Sequence, residues 1–189
     1  QATRNPLLNF PRIMEAYASD TGFFTTTSFE GYNCFQFFYG IKSSAIRSIG
    51  MIAESGGPEA LLNFFRKEGV PISIRTDNSK MQTSYMWDKY MRHYGCKSFY
   101  TEPYNPQQNP AERGISHVKN LLDKMMMVSG CDERAWFKLM QLIEGIWNHT
   151  AKESLGWKTP FEVKNGFTPD ISPYILFQFW EEIYYLDPL

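Results

Sequence analysis

The sequence predicts one α/β domain, and three observations carry that reading. Short strand-like runs follow one another near the start, a β-branched strand then stands between two helical patterns, and two long amphipathic helices close the main body. Met14 to Asp20 alternates with period two, Tyr32 to Tyr39 is rich in aromatics, and Ile46 to Ala53 leans toward β structure. Gly, Ser and Thr punctuate the gaps, so the three runs predict an antiparallel meander. Gly56-Gly57-Pro58-Glu59 opens a helix, with Pro58 suited to its first turn and Gly69 to its end. Val70 to Asp77 is the lone strand. Trp87, Tyr90, Met91 and Tyr94 then recur at helical spacing up to a stop at Gly95. A brief strand, Lys97 to Tyr100, leads into the Pro-rich loop Glu102 to Pro110, and helical patterns follow over residues 111–128 and 132–148.

Residues 1–13 carry two prolines and no period, and read as a leading segment before a core of residues 14–150. Residues 151–189 return to Gly and Pro punctuation and form a C-terminal extension, whose aromatic run Phe177 to Tyr185 is expected to add a strand or two on the outside. A first residue of Gln rather than Met points to a piece of something longer.

Composition excludes several classes. With 43% apolar and 16% aromatic residues over 189 positions, the chain can bury a real core and is not disordered. A formal net charge of -1 excludes a polybasic binder, so any contact with nucleic acid must be local. No apolar run approaches the roughly 20 residues that a membrane-spanning helix needs, so the expectation is a soluble chain with no membrane partner. Cys34, Cys96 and Cys131 are odd in number and widely spaced, which fits neither a disulfide framework nor a zinc site and makes a reducing intracellular setting the default.

Three acids stand where α/β sheets build sites: Asp20 in the first strand or at its end, Asp77 at the end of the fourth, and Glu112 near the start of the helix after the Pro-rich loop. Converging carboxylates suit hard divalent cations, and three of them suffice for two such ions. On the helix, Ala111, Ile115, Val118, Leu122 and Met125 form an apolar stripe, with Glu112, Ser116, Lys119 and Asp123 on the adjoining one. Lys119, two turns from Glu112, is placed to meet a phosphate backbone. Seven basic residues against five acids between Asp77 and Lys124 make a modest basic patch.

Each of these residues also has a plain structural reading. Asp20 can cap a turn, Asp77 can cap the helix that follows, Glu112 can complement a helix dipole, and Lys119 can be a solvated lysine. Asp20-Thr21-Gly22 is also the tripeptide of aspartic proteases, but Phe23-Phe24 follows where a small residue belongs. His93, His117 and His149 are scattered and suit structural or surface roles. Trp136, Leu139, Met140, Ile143, Ile146 and Trp147 form a stripe suited to core or oligomer contact.

The spacing as a whole resembles the D,D-35-E core of integrases. Asp20, 56 intervening residues, Thr76-Asp77-Asn78-Ser79, and 34 intervening residues to Glu112 within Tyr104-Asn105-Pro106-Gln107-Gln108-Asn109-Pro110-Ala111-Glu112-Arg113 are similar to retroviral and retrotransposon integrases, copia-like elements above all. Gly156-Trp157-Lys158-Thr159-Pro160-Phe161-Glu162 and Gly166-Phe167-Thr168-Pro169-Asp170-Ile171-Ser172 resemble the segment after the core in those polyproteins. The likeness covers about residues 14–173. It implies an RNase H-like fold, a five-stranded mixed sheet in the order 3-2-1-4-5 flanked by helices. It also implies Mg²⁺ or Mn²⁺, two ions in the active complex, held by Asp20, Asp77 and Glu112. Further implications are trimming of element DNA ends, joining of the 3′-hydroxyl to target DNA, contacts to double-stranded DNA from Lys119, Gln108, Tyr104 and Arg113, a homo-oligomer, and nuclear action at integration. The sequence departs from the pattern in a Pro106 to Glu112 stretch one residue short, with Pro110 where a Gly-Val pair is common, and in Asn78-Ser79-Lys80 where a glycine commonly follows. Those departures keep open a second expectation: a decayed or domesticated domain that binds nucleic acid or partner subunits without catalysis.

Overall fold

The computed structural model describes residues 10–77, 84–100, 109–172 and 179–182. Strand β1 spans Arg12–Phe23, β2 Cys34–Gly40 and β3 Ile46–Met51; helix α1 is Gly57–Glu68, β4 Val70–Thr76, α2 Tyr85–His93 and β5 Lys97–Tyr100. Three further helices follow, α3 at Pro110–Ser129, α4 at Trp136–His149 and the short α5 at Pro160–Asn165.

The sheet order is β3-β2-β1-β4-β5, with β1–β2 and β2–β3 antiparallel and β1–β4 and β4–β5 parallel. The meander and the expected order are therefore both present. Parallel neighbours require helical crossovers, and α1 and α2 supply them. Strand β2 is buried at nearly every position because helices cover both faces of the sheet. One face packs Tyr17, Phe38 and Ile74 against Leu61, Phe64 and Phe65 of α1 and Trp87 and Met91 of α2. The other packs Ala18, Phe35 and Phe37 against Ile115, Val118 and Leu122 of α3 and Trp136, Leu139, Met140 and Ile143 of α4. Each fully buried Leu or Phe contributes about 2–3 kcal/mol, so the aromatic composition becomes a two-sided core. The α4 stripe is core, except that Ile146 at its end is exposed.

Several boundaries differ from the sequence reading. β1 begins at Arg12, inside the leading segment, and runs three residues past Asp20, so Asp20 is an interior strand residue. The first turn of the last long helix is a 3₁₀ turn at Glu133–Ala135, capped by Asp132. Asp77 does not cap α2: Ser84 does, its hydroxyl accepting from the Trp87 amide. Residues 179–182 hold no strand, and the remainder of the Phe177 to Tyr185 run lies outside the described residues. Thr159-Pro160-Phe161-Glu162 is a capping box that starts α5, and α5 is tied to α1 by an ion pair between Lys164 and Glu68. All three cysteines are free thiols. Among the described residues no helix is long and apolar enough to cross a membrane.

Candidate active site

Strands β1 and β4 lie side by side and parallel, paired through Tyr17–Ile74 and Ala18–Arg75. Continuing that register by two residues sets Asp77, the first residue after β4, beside Asp20. Alternation puts Asp20 on the same face as Ala18, which is the face α3 covers. Glu112 stands in the first turn of α3 and is exposed.

Electrostatics join the three acids. Asp20 titrates at about 6, raised chiefly by burial and further by the negative charges of Asp77 and Glu112. The Thr21 amide, donating to Asp20 Oδ1 at 2.8 Å, pulls the other way. A carboxylate whose side-chain neighbours are like charges is one whose ionised form calls for a cation. Among the described residues no three acid, histidine or cysteine side chains form a ready-made metal cage. The donor set itself is three hard carboxylates on three different elements, which is the chemistry Mg²⁺ and Mn²⁺ take.

Close packing brings α3 onto β1 and β2. Gly114 lies so near the sheet that a Cβ there would meet the Phe37 ring at 2.7 Å. Any side chain at that position would lift the helix two residues after Glu112. Gly22 does the same for β1, since a Cβ there would stand 2.2 Å from the Phe35 ring.

A polar layer braces Asp20 from behind. Ser19 Oγ donates to the Phe37 carbonyl at 2.9 Å and accepts from Gln36 Nε2 at 2.7 Å, while Gln36 Oε1 accepts from Thr21 Oγ1 at 2.9 Å. Both neighbours of Asp20 are thus pinned to β2 through one fully buried glutamine. Asn109, also buried, caps α3 by accepting from the Ala111 amide at 3.1 Å and donates to the Ser19 carbonyl at 3.5 Å. The sequence pattern does not show this bracing, although Asn109 closes the Pro-Gln-Gln-Asn motif. Gln36 had a signal, as a lone amide in an aromatic strand, and so did Asn109, directly before a proline at a helix start.

Lys119 is half-buried; its ammonium donates to the Phe23 carbonyl at 2.8 Å and lies 5.2 Å from the centre of the Phe24 ring. An ammonium has three N–H donors, so that contact engages one of them. Arg113 is exposed beside Glu112. Tyr104, Gln108 and Asn78-Ser79 lie outside the described residues. The structure therefore associates Asp20, Asp77 and Glu112, with Lys119 on the same helix as Glu112.

No family model matches the chain, and no curated protein does. Solved structures do. The HTLV-2 integrase catalytic core domain, in a trimeric form with magnesium, superposes with a TM-score of 0.64 over 80% of this chain and 96% of that one, at 19% identity. The fold is that of retroviral integrase catalytic cores. The BIV integrase core gives 0.61 over 79% of this chain and 93% of that one at 16% identity. The simian T-cell lymphotropic virus intasome gives 0.67 at 16% identity, covering 95% of this chain and 63% of that one. At 16–19% identity the likeness is one of fold. Within this fold the three acids stand on the central strand, just past the end of its parallel neighbour, and in the first turn of a helix packed on β1 and β2.

Proposed function

We propose that the chain is the catalytic core of a retrotransposon integrase, a divalent-cation-dependent polynucleotidyl transferase that trims element DNA ends and joins their 3′-hydroxyls to target DNA. The observation that carries it is Asp20, a half-buried strand carboxyl whose ionisation is opposed by desolvation and further by Asp77 and Glu112, within an integrase-core fold. The copia-like assignment rests on the Pro-Gln-Gln-Asn loop and on the segment from Gly156 to Ser172.

Asp20 and Asp77 would hold one Mg²⁺ or Mn²⁺, and Asp20 and Glu112 the other. When bound, such a pair of ions activates the attacking oxygen and stabilises the leaving one in an in-line displacement. The residues then have separate tasks. Asp20 is the shared ligand, held rigid by the hydrogen bonds around Ser19 and Thr21. Glu112, in the first turn of α3, sits where the helix dipole favours an anion. Lys119 offers its remaining donors to a DNA phosphate, and Arg113, Gln108 and Tyr104 are assigned to the same double-stranded DNA. The HTLV-2 core has been solved in dimeric and trimeric forms, and the simian virus protein within an intasome. By analogy we assign this chain to a homo-oligomer that acts in the nucleus at integration.

The test is end trimming and strand joining on a labelled DNA duplex bearing the element's terminal sequence, with Mg²⁺ or Mn²⁺, comparing wild type with Asp77→Asn. The expected result is metal-dependent product from wild type and none from the variant. Product from Asp77→Asn at the wild-type rate would sink the assignment. Metal-dependent DNA binding without product would favour the non-catalytic reading.

A further inference from the structure

We infer that Asn109 is a positioning residue whose side-chain amide clips α3 to β1 and thereby sets the approach of Glu112 to Asp20. This rests on the proposed metal site and deepens it.

The two halves of the amide do different jobs. Oδ1 accepts from the Ala111 amide at 3.1 Å, an N-cap bond that any good capping residue makes. Nδ2 turns the other way, to the Ser19 carbonyl at 3.5 Å, one residue before Asp20. The main-chain oxygen of Asn109 accepts from the Glu112 amide at 3.2 Å. One residue thus touches the strand beside the first acid and the backbone of the third.

The clip has a counterpart two turns beyond Glu112. Lys119 donates to the Phe23 carbonyl at 2.8 Å, so α3 is fastened to β1 at two carbonyls that bracket Asp20. Between the fasteners Gly114 removes the side chain that would hold the helix off Phe37. Capping alone does not explain the arrangement. A cap needs only an oxygen, and Ser or Asp would serve as well. Asn109 is 4% exposed, and a buried amide needs partners for both ends. Only an amide caps the helix and donates to β1 at once.

Asn109→Ser separates the two jobs, because a serine hydroxyl caps the helix but is too short to reach the Ser19 carbonyl. The measurement is Mn²⁺ affinity of the full 189-residue chain by calorimetry, alone and with DNA, beside melting in metal-free buffer. Residues that orient metal ligands without touching the metal are worth 10- to 100-fold in affinity, so Asn109→Ser is expected to bind Mn²⁺ roughly tenfold more weakly. Its metal-free melting temperature should stay within about 3 °C of wild type. In a Glu112→Gln background the same substitution should cost no further affinity, since the amide acts through Glu112.

Affinity equal to wild type, or the same loss with and without Glu112, overturns the positioning role while leaving the metal site standing. A large drop in melting temperature that accounts for the weaker binding also overturns it. Wild-type protein that binds no Mn²⁺ even with DNA overturns the metal site, and this inference with it.

Discussion

Two groups of acids occupy this molecule and differ in what surrounds them. At the β3 edge, Glu144 of α4 is buried and accepts from Arg47 at 2.6 Å and from the Ser48 amide at 2.7 Å. Arg47 also reaches Glu68 at 3.0 Å, and Glu68 meets Lys164 of α5. At the sheet centre, Asp20 is half-buried, and among the described residues the side-chain charges acting on it are those of Asp77 and Glu112. Burial raises the pKa of both Glu144 and Asp20, yet Arg47 pulls Glu144 back down, while Asp77 and Glu112 push Asp20 higher against the pull of the Thr21 amide. We propose that the contrast separates an acid that holds the fold from one that serves a site. A structural carboxylate brings its own cations, whereas a site carboxylate is left in need of one.

The sharpest way to break this contrast is to neutralise one acid of the central group. Glu112→Gln is expected to lower metal-dependent strand joining by at least about a thousandfold, because two-metal stabilisation is worth several kcal/mol. Its urea midpoint without metal should not fall. A variant that loses stability instead would make Glu112 a structural acid.

Removing a cation from the edge group should do the reverse. Arg47→Met leaves Glu144 buried without its guanidinium, and uncompensated buried charge costs about 3 kcal/mol. Urea unfolding at neutral pH measures this, and a loss below about 1 kcal/mol would show that the edge group is not a fold-holding network.

Asp20 gives the contrast a pH signature. Its folded-state pKa, about 6, lies above the ordinary carboxylate value of 3.8, so the folded state favours the proton. Below pH 4 both folded and unfolded chains carry that proton and no penalty exists. Rising through pH 6, the folded chain must ionise a group that resists it, and stability is lost. Asp20→Asn removes the penalty. In EDTA at pH 8 it is expected to be more stable than wild type by on the order of 2 kcal/mol, an advantage that vanishes near pH 4. A variant no more stable than wild type at pH 8 would mean that neither desolvation nor the neighbouring charges oppose ionisation of this acid.

The smallest expected effect lies in the strap that delivers Lys164. Thr159 Oγ1 accepts from the Glu162 amide at 3.0 Å, and Glu162 Oε2 accepts from the Thr159 amide at 2.8 Å. Thr159→Ala should fray α5 and cost about 1 kcal/mol, read by chemical denaturation, with strand joining unchanged. A change in joining would tie the extension to the central site.

How much of this was legible beforehand depends on the range of the interaction concerned. Strand and helix types came from local periodicity, and the sheet order came with the integrase resemblance. Met14 to Asp20 showed alternation but not that β1 continues to Phe23, because Gly22 looks like a stop until Phe35 is seen filling the space beside it. Asp77 looked like a helix cap because the next helical residue was unknown; the helix starts later, and Ser84 caps it. The three acids are proposed from their spacing. Their bracing is not legible there, since Gln36 and Asn109 act on residues 17 and 90 positions away in sequence. The Thr159-Pro160-Phe161-Glu162 motif was noticed as a resemblance and turns out to be a helix cap, an interaction that spans only three residues.

The sequence by itself determined the kinds of elements and pointed to three candidate acids, because alternation, helical spacing and capping chemistry are properties of neighbours along the chain. Only the tertiary structure decided which charges stand beside which acids. Arg47 and Glu144 are 97 residues apart, and the charge of Glu112 reaches Asp20 because Gly114 lets α3 lie close against Phe37 of β2. Charge compensation depends on distance through space, and along the chain these charges look alike.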